Sequence, residues 1–268
     1  MYLSYNRNMD SSLFNILKEY EKFPQVKAIA LGGSSSANTS DASSDIDVYV
    51  FVTDNIPVES REEIVKKLSS NYEVGGEYFG SGDEFFVDKL NKQLDVMFWN
   101  VNWFENIITD VWEKFYPSNG YTTCFLYTLS ICNIIYDTNN WLQNLKNKIN
   151  TEYPKQLQEN IIHRNLMLLK DKPFASYYEQ IKKAVKRNDT VSVNHRISAF
   201  LASYFDIIFA LNKLLHPGEK RLVEYCKKNC VILPEKFEEN INNLLTQPNN
   251  ETLNILDEMI KYLKKILI

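Results

Sequence analysis

The sequence predicts an α+β protein, in which a mixed β-sheet domain is followed by an all-α helical bundle domain. Seven of the eight glycines lie at or before residue 120. The same part of the chain holds short β-branched and aromatic runs separated by turns, as strands require. Beyond it helical periodicity dominates. We place the boundary after residue 137, which gives domains of residues 1–137 and 138–268.

The first domain is predicted to begin with a helix over 10–20, because Asp10 precedes an amphipathic run and can cap it. VKAIALG and DIDVYVFV have the β-branched and alternating patterns of strands. The predicted strands are 26–32, 45–52, 73–79, 84–88 and 94–100. The predicted helices are 59–69, 102–115 and 119–132. A short extended segment over 134–140 marks the domain boundary.

The second domain is predicted to be helical throughout. Its clearest helix starts after Asp189 and stops before His216-Pro217-Gly218, where proline and glycine end the pattern. The predicted helices are 141–149, 155–170, 174–187, 190–215, 219–229, 235–245 and 250–267.

Charge and hydropathy exclude several classes of protein. The formal net charge is −4, which offers no broad basic surface and argues against a nucleic-acid partner. No basic start precedes an apolar run, and no uncharged stretch reaches the roughly 20 residues that span a bilayer. We therefore expect a cytoplasmic protein with no membrane partner. Cys226 and Cys230 lack neighbouring ligands for zinc, so the thiols are expected to be buried or unreactive.

Two aspartates in one strand carry the strongest chemical signal. Residues i and i+2 of a strand share a face, so Asp45 and Asp47 place two carboxylates side by side. Their repulsion is relieved when a divalent cation sits between them, and magnesium prefers carboxylate oxygens. Asp95 lies in a second apolar strand, where an isolated acid is costly without a cation or a hydrogen-bond partner. The three acids predict a site for two magnesium ions.

A turn of two glycines and a serine follows the strand that precedes these acids. Glycines let the backbone approach a phosphate closely, and exposed N–H groups attract anions. We therefore expect Gly32, Gly33 and Ser34 to cradle the phosphates of a nucleoside triphosphate. The chain contains neither a Walker-type GxxxxGK[ST] motif nor a GxGxxG motif, so the commonest rival phosphate sites are excluded.

The segment GGSSSANTSDASSDIDVYVF resembles the signature of the nucleotidyltransferase superfamily, which includes DNA polymerase beta and kanamycin nucleotidyltransferase. FGSGDEFF, IIYD and FALNKLLHPGEKRL resemble a bacterial branch with a helical C-terminal domain. The resemblance implies that Gly33 and Ser34 contact the triphosphate. It also implies that Asp45 and Asp47 bind both metals and Asp95 the catalytic one. Many relatives have a glycine where this chain has Asn38 and Thr39, so the resemblance does not fix the conformation of this loop, although it still implies the metal site.

Lys220 follows His216-Pro217-Gly218, and the resemblance implies that it reaches the nucleotide phosphates. Transfer to a hydroxyl also needs a general base. Glu84, Asp83 and Glu105 are the candidates, with a slight preference for Glu84.

The predicted activity is magnesium-dependent transfer of a nucleoside monophosphate, AMP from ATP, to a hydroxyl or phosphate with release of pyrophosphate. An aminoglycoside or lincosamide antibiotic is an acceptor suggested by the relatives, which would make the protein a resistance enzyme. One alternative is nucleotidylation of a protein or RNA acceptor. Another is a non-catalytic, antitoxin-like subunit that uses the same fold to hold a partner.

Overall fold

The computed structural model describes residues 10–32, 45–78, 80–172, 174–246 and 251–267. The chain forms two compact units that interleave along the sequence. Met1–Thr109 and Thr128–Thr151 make the first unit, while Asp110–Tyr127 and Glu152–Ile268 make the second. The predicted α+β class is confirmed, because a mixed sheet is followed by a helical region. The single boundary after residue 137 stays a prediction.

Six described strands form one sheet in the order β3-β4-β5-β2-β1-β6. Only β2 and β5 pair in parallel among these strands, and the other pairs are antiparallel. The strands are β1 Val26–Leu31, β2 Ile46–Val52, β3 Tyr72–Gly76, β4 Gly82–Val87, β5 Lys92–Asn100 and β6 Asn133–Asp137.

One face of the sheet is covered by helix α1, Ser11–Glu21. The helix begins where expected, because the Asp10 carboxylate accepts a hydrogen bond from the Ser12 N–H at 2.7 Å. Its buried side chains pack on the apolar side chains that alternate along the strands. Burial of this face fixes the strand register, because a slip of one residue would turn every apolar side chain toward the other face.

The opposite face carries an aromatic layer beneath helices α3 (Val101–Ile108) and α5 (Trp141–Ile149). Tyr49 of β2 stacks on Trp99 of β5 with 4.5 Å between ring centroids. Phe51, two residues after Tyr49, meets Phe104 of α3 at 5.0 Å and Trp141 of α5 at 5.3 Å. These edge-to-face and stacked contacts bind the two helices to the sheet.

The extended segment near residue 134 is confirmed, and it has a larger role than a linker. β6 pairs antiparallel with β1 and forms the edge of the sheet. Its last residue, Asp137, accepts hydrogen bonds from the N–H groups of Leu142 and Gln143 at 3.0 and 2.9 Å. The carboxylate thus satisfies backbone donors at the start of α5.

Several helices are shorter than predicted, and left-handed residues explain the differences at the start of α4 and the end of α8. α2 runs Val58–Val65, α4 runs Cys124–Ile131 and α8 runs Thr190–Leu211. α4 cannot begin at residue 119, because Gly120 has φ +90° and Tyr121 has φ +56°. α3 and α6 each continue into one π-helical turn, over Thr109–Glu113 and Met167–Asp171.

The second unit is built around α8, whose inward side chains are almost all buried. α6 and α7 pack on α8, and α10 packs on α11. Its other helices are α6 Lys155–Leu166, α7 Tyr177–Lys186, α9 Leu222–Asn229, α10 Phe237–Thr246 and α11 Thr252–Lys265. No helix among the described residues is long and apolar enough to cross a membrane.

A buried acid ties the α8 helix to neighbouring segments of the same unit. Asp206 accepts hydrogen bonds from the Thr122 N–H at 3.0 Å, the Thr122 hydroxyl at 2.6 Å and the Asn165 amide at 3.0 Å. Burial raises the pKa of Asp206 to about 6 despite these donors. The carboxylate therefore joins α8 to α6 and to the segment that precedes α4.

A buried ion pair joins α2 to β4 beneath the sheet. The Arg61 guanidinium lies 2.6 Å from Asp83 Oδ1, and both side chains are at most 5% exposed. Arg61 also sits over the Phe98 ring, 4.5 Å from its centroid. Asp83 accepts a second hydrogen bond from the Gly75 N–H of β3 at 3.0 Å. The pair thus links α2, β3, β4 and β5.

We predict that Arg61→Ala lowers the free energy of unfolding by about 3–5 kcal/mol, because the substitution leaves the Asp83 carboxylate buried without its cation. Urea denaturation followed by circular dichroism measures the change. Lys66→Ala is the matched control, since it removes a cation from the same segment but from a solvent-exposed pair with Glu62. Equal losses in the two variants would contradict the assignment.

Candidate active site

Four carboxylates lie in one row across four adjacent strands. Asp47 of β2 is directly in register with Asp95 of β5. Asp95 is in turn paired with Glu84 of β4, and Glu84 with Glu73 of β3. Paired residues of neighbouring strands point to the same face, with strands about 4.8 Å apart. The row is therefore a continuous acidic strip on the face opposite α1.

The strip forms because each acid alternates with a buried apolar residue. Ile46 and Val48 flank Asp47, and Leu94 and Val96 flank Asp95, and all four are in the core under α1. The two aspartates are only half-buried, and Asp45 before them is exposed. The apolar face thus forces both acids to the other side.

The strip is strongly negative. The pKa of Glu84 is raised, first by desolvation and then by the charges of Asp95, Glu73 and Asp45. Asp95 receives one compensating contact, a hydrogen bond from the Gln93 side-chain amide at 2.8 Å. That amide also holds the orientation of the Asp95 carboxylate.

These carboxylates have the chemistry of a site for a hard divalent cation. Magnesium prefers oxygen ligands, and proteins usually supply one or two carboxylates while substrate phosphates and water complete the octahedron. Asp47 and Asp95, on paired strands, meet that requirement. In the described ranges no three carboxylate, histidine or cysteine side chains converge on one ion position.

Gly32 lies where β1 ends and the predicted phosphate turn begins. Its N–H donates to the Asp47 carbonyl at 2.9 Å, which extends the β1–β2 ladder up to the acids. A side chain at this position would collide with the Tyr49 ring, since a Cβ would lie 2.0 Å from Tyr49 Cε2. Gly33 and Ser34 lie outside the described residues, so their contacts with phosphate stay predictions.

Lys220 is in the helical unit, exposed in the turn that precedes α9 and not in the predicted helix. The turn is anchored through His216, whose N–H donates to the Thr123 hydroxyl at 2.8 Å and whose Nδ1 accepts from the Gly218 N–H at 3.2 Å. Burial lowers the pKa of His216 to about 4, so the ring is neutral at pH 7. The phosphate contact of Lys220 stays a prediction.

Two parts of the chain match known protein-family models. Residues 11–115 match the family model for a nucleotidyltransferase domain. Residues 122–222 match the model for a domain of unknown function, DUF4037. Residues 11–115 form a nucleotidyltransferase domain. The resemblance inferred from the Gly-Gly-Ser and Asp-x-Asp motifs is confirmed at the level of this superfamily.

Several solved structures are similar to the chain at low identity. A nucleotidyltransferase-like protein from Exiguobacterium sibiricum is 11% identical with a TM-score of 0.48, over 94% of this chain and 73% of that one. The Thermotoga maritima CCA-adding enzyme, complexed with tRNA, is 10% identical with a TM-score of 0.29, over 97% and 83%. A c-di-GMP synthase from Capnocytophaga granulosa is 14% identical with a TM-score of 0.27, over 96% and 81%. No curated protein matches the chain.

The structure separates the three candidates for a general base in the nucleotidyltransferase domain. Asp83 pairs with Val96 on the apolar face and is held by Arg61, so it faces away from Asp47 and Asp95. Glu105 accepts a hydrogen bond from the indole N–H of Trp141 and supports the aromatic layer. Among the three candidates, only Glu84 lies in the acidic strip.

Two features of the site were not found from the sequence. Glu73 extends the acidic strip to β3, and the ring of Tyr49 lies under Gly32. The sequence does contain a signal for Glu73. Once Glu84 is paired with Asp95, alternation along the β3–β4 hairpin determines which β3 residue lies beside Glu84 on the same face. The contact between Tyr49 and Gly32 has no sequence signal, since the two residues are distant in the sequence.

We predict that Gly32→Ala lowers the free energy of unfolding by about 1–3 kcal/mol, because the new methyl group displaces the packed Tyr49 ring. Thermal denaturation measures the loss. Gly76→Ala is the matched control, as the nearest atom to its Cβ would be at an ordinary 3.7 Å. A Gly32→Ala protein as stable as the control would show that Tyr49 is not fixed beneath the turn.

Proposed function

We propose that the protein transfers a nucleoside monophosphate, AMP from ATP, to a hydroxyl or phosphate of an acceptor and releases pyrophosphate. The observation that carries this proposal is the register of Asp47 with Asp95 beside the end of β1, within a domain that matches the nucleotidyltransferase family. Two acids at such a position are costly unless they serve a cation and its phosphate ligands.

Asp45, Asp47 and Asp95 would hold the divalent metal, which we propose to be magnesium in two sites. When bound, the metal neutralises charge on the phosphates and orients the reacting oxygens. The contribution of the protein is to hold the metal-binding carboxylates in position. The apolar core under Ile46 and Val48 keeps the Asp47 carboxylate of β2 on the opposite face, and the Gln93 amide holds Asp95.

The strand order gives the transfer a direction across the sheet. The predicted phosphate turn comes directly after β1 in the sequence. β2 carries Asp47, β5 carries Asp95, and β4 carries Glu84 on the far side. The triphosphate would therefore lie over the turn of Gly32, Gly33 and Ser34, and the acceptor on the β4 side. Lys220 of the helical unit would add a positive charge to the phosphates.

Glu84 is the general base in this arrangement. A carboxylate on the acceptor side, next to Asp95, is placed to take the proton of the attacking hydroxyl. Asp83, the preceding residue, accepts hydrogen bonds from Arg61 and from the Gly75 N–H, and these contacts anchor β4 on the apolar face of the sheet. The Gly-Asp-Glu sequence thus provides one anchoring acid and one acid facing the substrate.

The acceptor is proposed to be a small molecule with a free hydroxyl, such as an aminoglycoside or lincosamide. Glu84 and Glu73 make the acceptor side of the strip negative. A negative surface repels the phosphates of an RNA end and attracts an acceptor that carries amino groups. The net charge of −4 adds to this preference.

We predict that Asp47→Asn abolishes magnesium-dependent binding of a non-hydrolysable ATP analogue, measured by calorimetry. The substitution removes a metal ligand, while the strand keeps its apolar face. Asp88→Asn is the control, because it removes one negative charge from the exposed turn between β4 and β5 of the same sheet. Equal affinities in wild type and Asp47→Asn would refute the site, and failure of every nucleotide to bind would favour a partner-binding subunit.

We predict that Glu84→Gln lowers the rate of transfer by about 10²–10⁴-fold, the usual contribution of a general base, while leaving the affinity for the ATP analogue within a few fold. The readout is pyrophosphate release, with a screened acceptor or with water as a slow acceptor. Glu73→Gln removes the neighbouring charge and is expected to change the acceptor KM more than kcat. An unchanged kcat in Glu84→Gln would refute the assignment of Glu84 as the general base.

A further inference from the structure

Two thiols lie one helical turn apart at the end of α9. Cys226 is inside the helix and fully buried in the core of the helical unit, whereas Cys230 caps the helix and is half-buried. The Cys230 N–H donates to the Cys226 carbonyl at 2.8 Å, so the pair is held by the last turn. The side chains themselves are joined by a thiol hydrogen bond.

The hydrogen bond divides the two thiols into different chemical roles. The Cys226 S–H donates to the Cys230 sulfur, which lowers the pKa of Cys230 and raises that of Cys226. Partial burial of Cys230 and the negative end of the helix oppose a thiolate there. The net direction at Cys230 is still downward, because the donated hydrogen bond outweighs the desolvation. A thiolate, not a thiol, is the nucleophile in disulfide exchange.

In the other two cysteines the pKa of the thiol is raised. Cys124 is half-buried like Cys230, but burial raises its pKa. Cys132 is buried, and desolvation raises its pKa to about 11. Among the described cysteines, Cys230 is thus the half-buried one that lies one helical turn from a second thiol and whose pKa is lowered.

We propose that Cys230 and Cys226 form a redox modification site that reacts with low-molecular-weight disulfides. The Cys230 thiolate attacks one sulfur of the small disulfide, which forms a mixed disulfide and releases one small thiolate. The Cys226 thiol then gives up its proton and attacks the Cys230 sulfur, which releases the second small thiolate. The two protein thiols are oxidised to one disulfide, and the small disulfide is reduced to two thiols.

The backbone geometry permits this bond. Residues four apart in a helix have Cα atoms about 6 Å apart, within the range that disulfides span. Cys230 has φ −86° and ψ 129°, so its side chain can turn toward Cys226 without unwinding α9. The chain beyond it is clamped, because Asn212 exchanges two hydrogen bonds with the backbone of Ile232, each at 2.8 Å. The cap is therefore held close to its partner.

The first test is treatment of the reduced protein with oxidised glutathione, followed by intact-mass and peptide-mapping mass spectrometry. Wild type is expected to lose the mass of two hydrogens through a Cys226–Cys230 disulfide that dithiothreitol reverses. Cys226→Ala is expected to stop at a glutathione adduct on Cys230, and Cys230→Ser to remain unmodified. Cys124→Ser is the matched control and is expected to behave as wild type.

A second measurement does not depend on any variant folding. Brief alkylation of the native wild-type protein with iodoacetamide at pH 7 is expected to label Cys230 at least several-fold faster than Cys124. Labelling of Cys124 first, or a glutathione-treated wild type that keeps all four thiols, would overturn the proposal.

Discussion

The parallel pairing of β2 with β5 is the constraint on which the active-site face depends. It brings Asp47 beside Asp95 although their charges repel, because the apolar residues that alternate with them must reach the core under α1. Burial of that face therefore supplies the free energy that holds the acids together. The acidic strip is thus arranged without any cation or nucleotide, as the proposed catalysis by positioning requires.

Asp83 and Glu84 are adjacent in β4, so alternation along the strand places their side chains on opposite faces of the sheet. Asp83 turns inward, where Arg61 and the Gly75 N–H hold it, whereas Glu84 turns outward into the acidic strip. The inward pair costs desolvation of both charges but fixes α2, β3 and β4 in one arrangement. Glu84 lies on the same strand, so the buried pair also fixes its position although Glu84 is not part of that pair.

The sequence was sufficient for the fold class, for the strands of Asp47 and Asp95 and for the superfamily, because alternation and motif spacing are local signals. It did not reveal the pairing of β6 with β1 or the register that adds Glu73, since strand order is set by contacts distant in sequence. The start of α4 at Cys124 and the end of α8 at Leu211 were also missed. There, left-handed backbone and packing decide the boundary, and neither has a strong composition signal.

The two compact units interleave, so the chain crosses between them three times, after residues 109, 127 and 151. A gene exchange with a single junction would therefore divide at least one unit. Acquiring a new helical unit by recombination requires several junctions at once, which makes such an exchange rare. We expect the two units to have been inherited as a pair rather than combined by shuffling of modules.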